Sequence, residues 1–178
     1  MPLQVPSPRT FSVDEVETAS YLNSVRDALT FLVNLPIATV YETLSQALTA
    51  NTAAFVAYDS TAVDTYGGHS NTVNNGRYTA QVPGYYLTGG GSPMAGSSSG
   101  TYRKSQIYYN GAAIAYATAS VGPSSSGTNA VTPTLSPTLV YLNAGDYLSI
   151  WVETDGTSVN VTPNSSNGAY MTVIWAHA

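Results

Sequence analysis

The chain has 178 residues, of which only 8% are charged, five Lys or Arg against ten Asp or Glu, for a formal net charge of −5. Five scattered cations cannot build the basic face that nucleic acid requires, and a 43% apolar content is too high for a disordered chain. With no Cys there is no disulfide framework, thiolate metal site or thiol nucleophile, and the longest apolar stretch, Ala28 to Val40, is too short and too interrupted for membrane insertion.

Taken in chain order, Met1 to Pro8 carries Pro2, Pro6 and Pro8 and reads as an extended arm that needs a partner to become ordered. It has neither the basic nor the apolar region of a signal peptide. Seven of the 15 charges (Arg9, Asp14, Glu15, Glu17, Arg26, Asp27 and Glu42) lie in the first 42 residues. The same region holds the one helical period: Leu22, Val25, Leu29 and Leu32, flanked by Ala28 and Val33, recur at spacings of three and four. Thr18 is the expected N-cap, Ser12 with Glu15 forms a rival capping box, and Asn34 and Pro36 end the pattern. A helix of about fifteen residues is marginal alone in water, so its stripe must pack on the following domain, on its own copies or on a larger assembly. The expected division is an arm and anchor helix at 1–37 and a head domain at 38–178.

From about Ala38 the period becomes two. Strands are expected at Val40 to Leu44, Ala53 to Tyr58, Arg77 to Val82, Tyr85 to Gly89, Tyr102 to Tyr109, Ala112 to Ser120, Thr138 to Leu142, Tyr147 to Val152, Ser158 to Thr162 and Tyr170 to Trp175. Turn dipeptides such as Asn75-Gly76, Asn110-Gly111, Asp155-Gly156 and Asn167-Gly168 separate them. Short strands with no helix signal between them predict an all-β antiparallel sandwich. Gly89 to Gly100 and Gly122 to Thr128 read as loops or weakly packed edges, and the weak alternation of Leu87-Thr88-Gly89-Gly90-Gly91 predicts a short or interrupted strand.

Val82-Pro83-Gly84-Tyr85-Tyr86, Tyr109-Asn110-Gly111, Leu142-Asn143-Ala144-Gly145-Asp146-Tyr147-Leu148 and Gly168-Ala169-Tyr170-Met171-Thr172-Val173 resemble the trimeric jelly-roll module of the complement globular head and tumour necrosis factor group. The likeness runs from about Ala38 to Ala178. Ahead of it, Pro8-Arg9-Thr10-Phe11, Thr18-Ala19-Ser20-Tyr21-Leu22-Asn23 and Val25-Arg26-Asp27-Ala28-Leu29 resemble virion proteins of actinobacterial tailed phages, either minor tail proteins or head fibre or decoration proteins. These resemblances imply a jelly roll of about ten strands behind an extended arm and one helix, assembled as a homotrimer. They also imply a virion protein made in the bacterial host cytoplasm, without enzymatic activity or cofactor. Its partners would be tail, baseplate or major capsid proteins, reached through Leu22, Val25, Leu29 and Leu32 as particle-anchor or oligomer contacts. A Tyr-rich, charge-poor sandwich also suits burial against its own copies, because Tyr supplies apolar area while its hydroxyl finds a partner or water.

Four patterns suggest chemistry. Gly96-Ser97-Ser98-Ser99-Gly100 matches a nucleophile elbow in letters, yet no helix is expected after it, and Gly89-Gly90-Gly91 lacks the Lys and helix of a phosphate loop. Asp59, Asp64 and His69 are the weak candidates for a metal site, with calcium held by loop oxygens, or else they fix turns locally. Glu153 and Asp155 could form a glycosidase-type carboxylate pair or merely fix a turn and an edge, as Asp146 is expected to do in its own turn. Asn160-Val161-Thr162 and Asn164-Ser165-Ser166 are glycosylation sequons by pattern, and His177 lies beside the terminus. The many Tyr, with Trp151 and Trp175, either stack on glycans of a host cell envelope or fill core and interfaces. With the resemblance to phage virion proteins, a tail or baseplate role touching the host is the leading expectation. A shell-docked decoration protein, a soluble carbohydrate-binding module and a hydrolase follow in that order.

Overall fold

The computed structural model describes residues 10, 12, 18–124, 129–162 and 168–178. The expected arm Met1 to Pro8, Glu15 and Glu17, residues 125–128 of the second expected loop and the sequon at Asn164 lie outside the described residues.

Helix α1 (Ala19–Val33) begins where the stripe predicts. Thr18 holds the N-cap position with extended backbone, φ −109° and ψ 159°, and its carbonyl accepts from the amides of Tyr21 and Leu22. Its hydroxyl makes no capping bond, so the start is set by the backbone rather than by the expected side-chain cap. Asn34 closes the helix with its amide on the Phe31 carbonyl. The one buried helix residue is Phe31, which projects from a different side than Leu22, Val25, Leu29 and Leu32.

The rest is a jelly-roll sandwich of antiparallel sheets. The first sheet runs β4 (Ser60–Asp64), β1 (Ile37–Tyr41), β12 (Tyr170–His177), β6 (Gly84–Gly91) and β9 (Thr134–Leu142). The second centres on β10 (Tyr147–Thr154), with β7 (Arg103–Tyr109) and then β8 (Ala112–Val121) on one side. Two short strands, β3 (Ala54–Phe55) and β5 (Tyr78–Thr79), share its other edge. A small ladder joins β2 (Gln46–Leu48) to β11 (Val159–Val161). Period-two alternation sends Val40, Tyr86, Met171 and Val173 inward from the first sheet, where they join Tyr78, Ile107, Leu148, Ile150 and Val152 of the second in one buried cluster. Burying each aliphatic side chain contributes about 1.5–3 kcal/mol.

Among the described residues twelve strands form, where about ten were expected. The additions are β2 and β4, the latter crossing the stretch expected as a loop between Asp59 and His69. The expected interruption after Leu87 is corrected: β6 runs unbroken to Gly91. Glycine is needed there, because a Cβ on Gly90 would collide with the Tyr170 carbonyl oxygen and lie 2.6 Å from Ile150 Cδ1. Opposite it, β9 starts earlier than predicted and passes Pro137 through a register shift, which an edge strand tolerates because the missing N–H faces no partner. Asn110 and Gly111 both take positive φ, 47° and 81°, the mirror-image turn expected of Asn-Gly between β7 and β8.

Candidate functional site

The outer face of the first sheet is apolar along its strands. Cross-strand register places Ile37 beside Ile174, Ile174 beside Leu87, and Leu87 beside Leu139, one aliphatic row across four strands. A parallel row sets Tyr41 beside Tyr170. Next to the aliphatic row, Tyr85 faces Tyr141 with ring centroids 5.2 Å apart and stacks on His177 at 4.6 Å. Val63 opposite Thr39 extends the patch to β4. Tyr41, Val63, Tyr85, Leu87, Leu139, Tyr141, Tyr170 and Ile174 are all exposed, because alternation that commits one side of each strand to the core leaves these on the other. The rows carry no ionised side chain.

Helix α1 continues this exposed apolar surface in kind. Leu22, Val25, Leu29 and Leu32 are exposed, so the sandwich does not cover them. Their 3-4-3 spacing is that of a narrow seam between helices rather than the broader stripe of a helix laid on a sheet. What docks α1 is Phe31, edge-on to Trp175 at 5.0 Å and to Tyr66 at 6.4 Å. Among the described residues no helix is long and apolar enough to cross a membrane.

The polar candidates are spent on local structure. Asp59 accepts from the Thr43 amide at 2.7 Å, the Thr43 hydroxyl at 2.9 Å and the Leu44 amide at 3.0 Å. Asp64 accepts from the amides of Tyr66 and His69, and His69 Nδ1 lies 2.9 Å from the Arg77 carbonyl. The three candidate ligands are therefore not brought together, and no group of three His, Cys, Asp or Glu converges among the described residues. Asp155 binds the Thr101 amide and hydroxyl and the Tyr102 amide, and these bonds hold its carboxyl down at about 2. Glu153 pairs with Lys104 and accepts from the Tyr102 hydroxyl. Both carboxylates fix the neighbouring strand ends, as the turn-and-edge alternative held. Asp146 accepts from the Asn143 amide, Asn110 Nδ2 and the Tyr109 hydroxyl, closing its turn as expected. Burial alone would raise its carboxyl, but those bonds hold it below the usual range. Ser97 to Ser99 lie in the loop before β7, with no helix after them, so the elbow geometry is not formed.

Two features escaped sequence reasoning. Glu42, at the end of β1, is buried with both carboxylate oxygens unpartnered, and burial followed by the charge of Asp59 raises its carboxyl to about 8. Nothing in its local pattern separates it from a solvated turn residue. The outer face of β10 also forms an aromatic cleft with Phe55 and Arg77, assembled from three segments far apart in sequence.

No protein-family model matches this chain, and no curated protein matches it either. Solved structures do. The globular domain of zebrafish complement 1qA protein is 12% identical, with a TM-score of 0.57 over 80% of this chain and 98% of that one. Murine APRIL at pH 5.0 is 9% identical, with a TM-score of 0.58 over 79% of this chain and 98% of that one. Eiger TNF from S. frugiperda is 13% identical, with a TM-score of 0.58 over 80% and 95%. At such identities the likeness shows architecture and nothing further: this chain folds as a jelly roll of the complement globular head and tumour necrosis factor type.

Proposed function

We propose that this chain is a homotrimeric structural component of a phage virion, in the tail or baseplate, with the outer face of its first sheet buried between copies and α1 attaching the head to the particle. The observation that carries the assembly is the aliphatic row Ile37, Ile174, Leu87 and Leu139 with its flanking Tyr, an uncharged surface whose exposure a monomer has no reason to maintain. Three copies around an axis close a ring and leave no copy of the face uncovered. The resemblance of the Val82 to Val173 motifs to a trimeric module supports three copies, and the motifs around Arg9 and Tyr21 support the virion reading.

Light scattering of the full chain is expected to give three times the mass of one chain; a monomer at micromolar concentration overturns the assembly. Removing the whole N-terminal segment would strip Phe31 from Trp175, so the anchor is better tested by the paired substitutions Leu22→Asp and Leu29→Asp. The variant should stay folded and fail to join particles. Gold-labelled antibody on intact particles should mark the tail end; label over the shell would instead make this a decoration protein.

A further inference from the structure

Alternate residues of β10, Tyr147, Ser149 and Trp151, point away from the core on the side of the sandwich opposite the aliphatic row. Trp151 stacks on Tyr108, centroids 4.8 Å apart and planes 20° apart, and meets Phe55 edge-on at 6.1 Å. Its indole N–H donates to Ser149 Oγ at 3.1 Å, so ring and rotamer are both held. The loop before β5 closes the cleft: Asn74 takes a left-handed φ of 52°, and a Cβ on Gly76 would come within 2.8 Å of Phe55 Cγ, so only glycine lets that loop lie against the ring. The resulting open cavity is about 190 Å³. That is below the roughly 300–1,000 Å³ of sites for drug-sized molecules and suits a single ring.

Arg77 supplies the second, independent observation. Among the described residues, Arg26 pairs with Asp27, Arg103 with Asp155 and Lys104 with Glu153, whereas Arg77 pairs with no carboxylate. Its guanidinium instead lies 4.7 Å over the Tyr147 ring at the rim of the cleft. A guanidinium fork recognises paired oxygens of a carboxylate with two parallel bonds, and aromatic faces accept the C–H face of a pyranose.

We infer that the Phe55–Arg77–Trp151 cleft binds one pyranose unit carrying a carboxylate, of the uronic acid class, with the ring against the aromatic side chains and the carboxylate on Arg77. Asn74 adds an amide at the rim. The site deepens the proposed tail or baseplate role by naming a ligand class for it, and it rests on that role only for its biological setting. Because it lies on the other face of the sandwich, covering the aliphatic row leaves it open.

The test titrates the full-length protein with two oligosaccharides of matched linkage and length, one built on glucuronate and one on glucose, followed by calorimetry and by NMR of the Trp indole signals. Glucuronate should bind about tenfold or more tightly than glucose, a difference of about 1.4 kcal/mol. Arg77→Gln should bring glucuronate down to the level of glucose, and Arg77→Lys should recover only part of the loss. Trp151→Ala should abolish both; if that variant unfolds, Phe55→Ala takes its place. Equal binding of the two sugars, no binding of either, or binding untouched by these variants overturns the site. Light scattering on the same samples separates the two ideas: a trimer without sugar binding removes only this inference, and a sugar-binding monomer removes only the trimer.

Discussion

The ring of Phe31 stands edge-on to that of Trp175, centroids 5.0 Å apart and planes 87° apart, and this contact fixes the helix to the last strand of the sandwich. Trp175 is itself held at two further points, its amide on the Pro36 carbonyl at 2.8 Å and its indole N–H on the Pro83 carbonyl at 3.1 Å. Phe31→Ala should therefore lower stability by about 3 kcal/mol or more, the usual range for emptying a buried Phe site, read as a fall in the urea midpoint. Phe31→Leu should cost much less. An unchanged midpoint for the Ala variant would mean the helix does not dock.

A charge in the aliphatic row should separate the copies without unfolding them. Leu87→Lys places an ammonium between Ile174 and Leu139, where three copies would have to desolvate it together. The expected product is a folded monomer by light scattering, with its near-ultraviolet circular dichroism retained. A Leu87→Lys trimer would show that the copies meet elsewhere.

Glu42 predicts an alkaline weakness. Its folded carboxyl titrates near 8 against an ordinary 4.5, so between those values the folded chain keeps a proton that the unfolded chain has released. The Glu42 contribution is then full below pH 4.5, falls as pH rises at up to about 1.4 kcal/mol per pH unit, and levels off above 8. Glu42→Gln should flatten this slope and gain most over wild type above pH 8. Parallel pH profiles of the two proteins in denaturant titrations would show no such assistance at alkaline pH if Glu42 were solvated.

Asp155 behaves in the opposite sense. Bonds from the Thr101 hydroxyl and the amides of Tyr102 and Thr101 lower its carboxyl from 3.8 to about 2. Its stabilisation is present above pH 3.8 and is lost as pH falls through about 2. Asp155→Ala should remove this step from the acid unfolding curve and lower stability at neutral pH, and fluorescence of Trp151 would follow it.

Gly90→Ala should disrupt β6 although the residue added is small. The new methyl would meet the Tyr170 carbonyl, which is backbone and cannot swing aside. Loss of amide exchange protection confined to β6, β9 and β12 is the expected sign. Gly145→Ala, where nothing lies within 4 Å, is the control for the space though not for its positive φ.

Alternation and turn residues made most of the sandwich legible. Ile107, Leu148, Ile150 and Val152 alternate or run together as buried strands must, and Asn110-Gly111 admits little but a tight hairpin. Failures came where side-chain pattern is weak: β4 is an edge strand of Ser, Thr, Ala, Val and Asp paired on one side only, and β6 continues through glycines because neighbouring backbone crowds them. The sites were harder to read. Alternation marks Leu87, Leu139 and Ile174 as lying opposite the core, but register across four strands is needed to align them in a row. Phe55, Arg77 and Trp151 come from three segments, and no local spacing announces that they meet. The helix stripe is legible in the sequence, whereas Phe31, the residue that docks the helix, falls outside it.

Strand pairing also governs how this protein can be made. Ile37 of β1 lies opposite Ile174 of β12, and β12 is the middle of its five-stranded sheet. A ribosome therefore releases β1, β4, β6 and β9 before the strand at the sheet's centre exists, and until then β1 and β6 each expose an unpaired edge to neighbouring nascent chains. A chain that lacks β12 would have a gap through the middle of its sheet rather than a slightly shortened head.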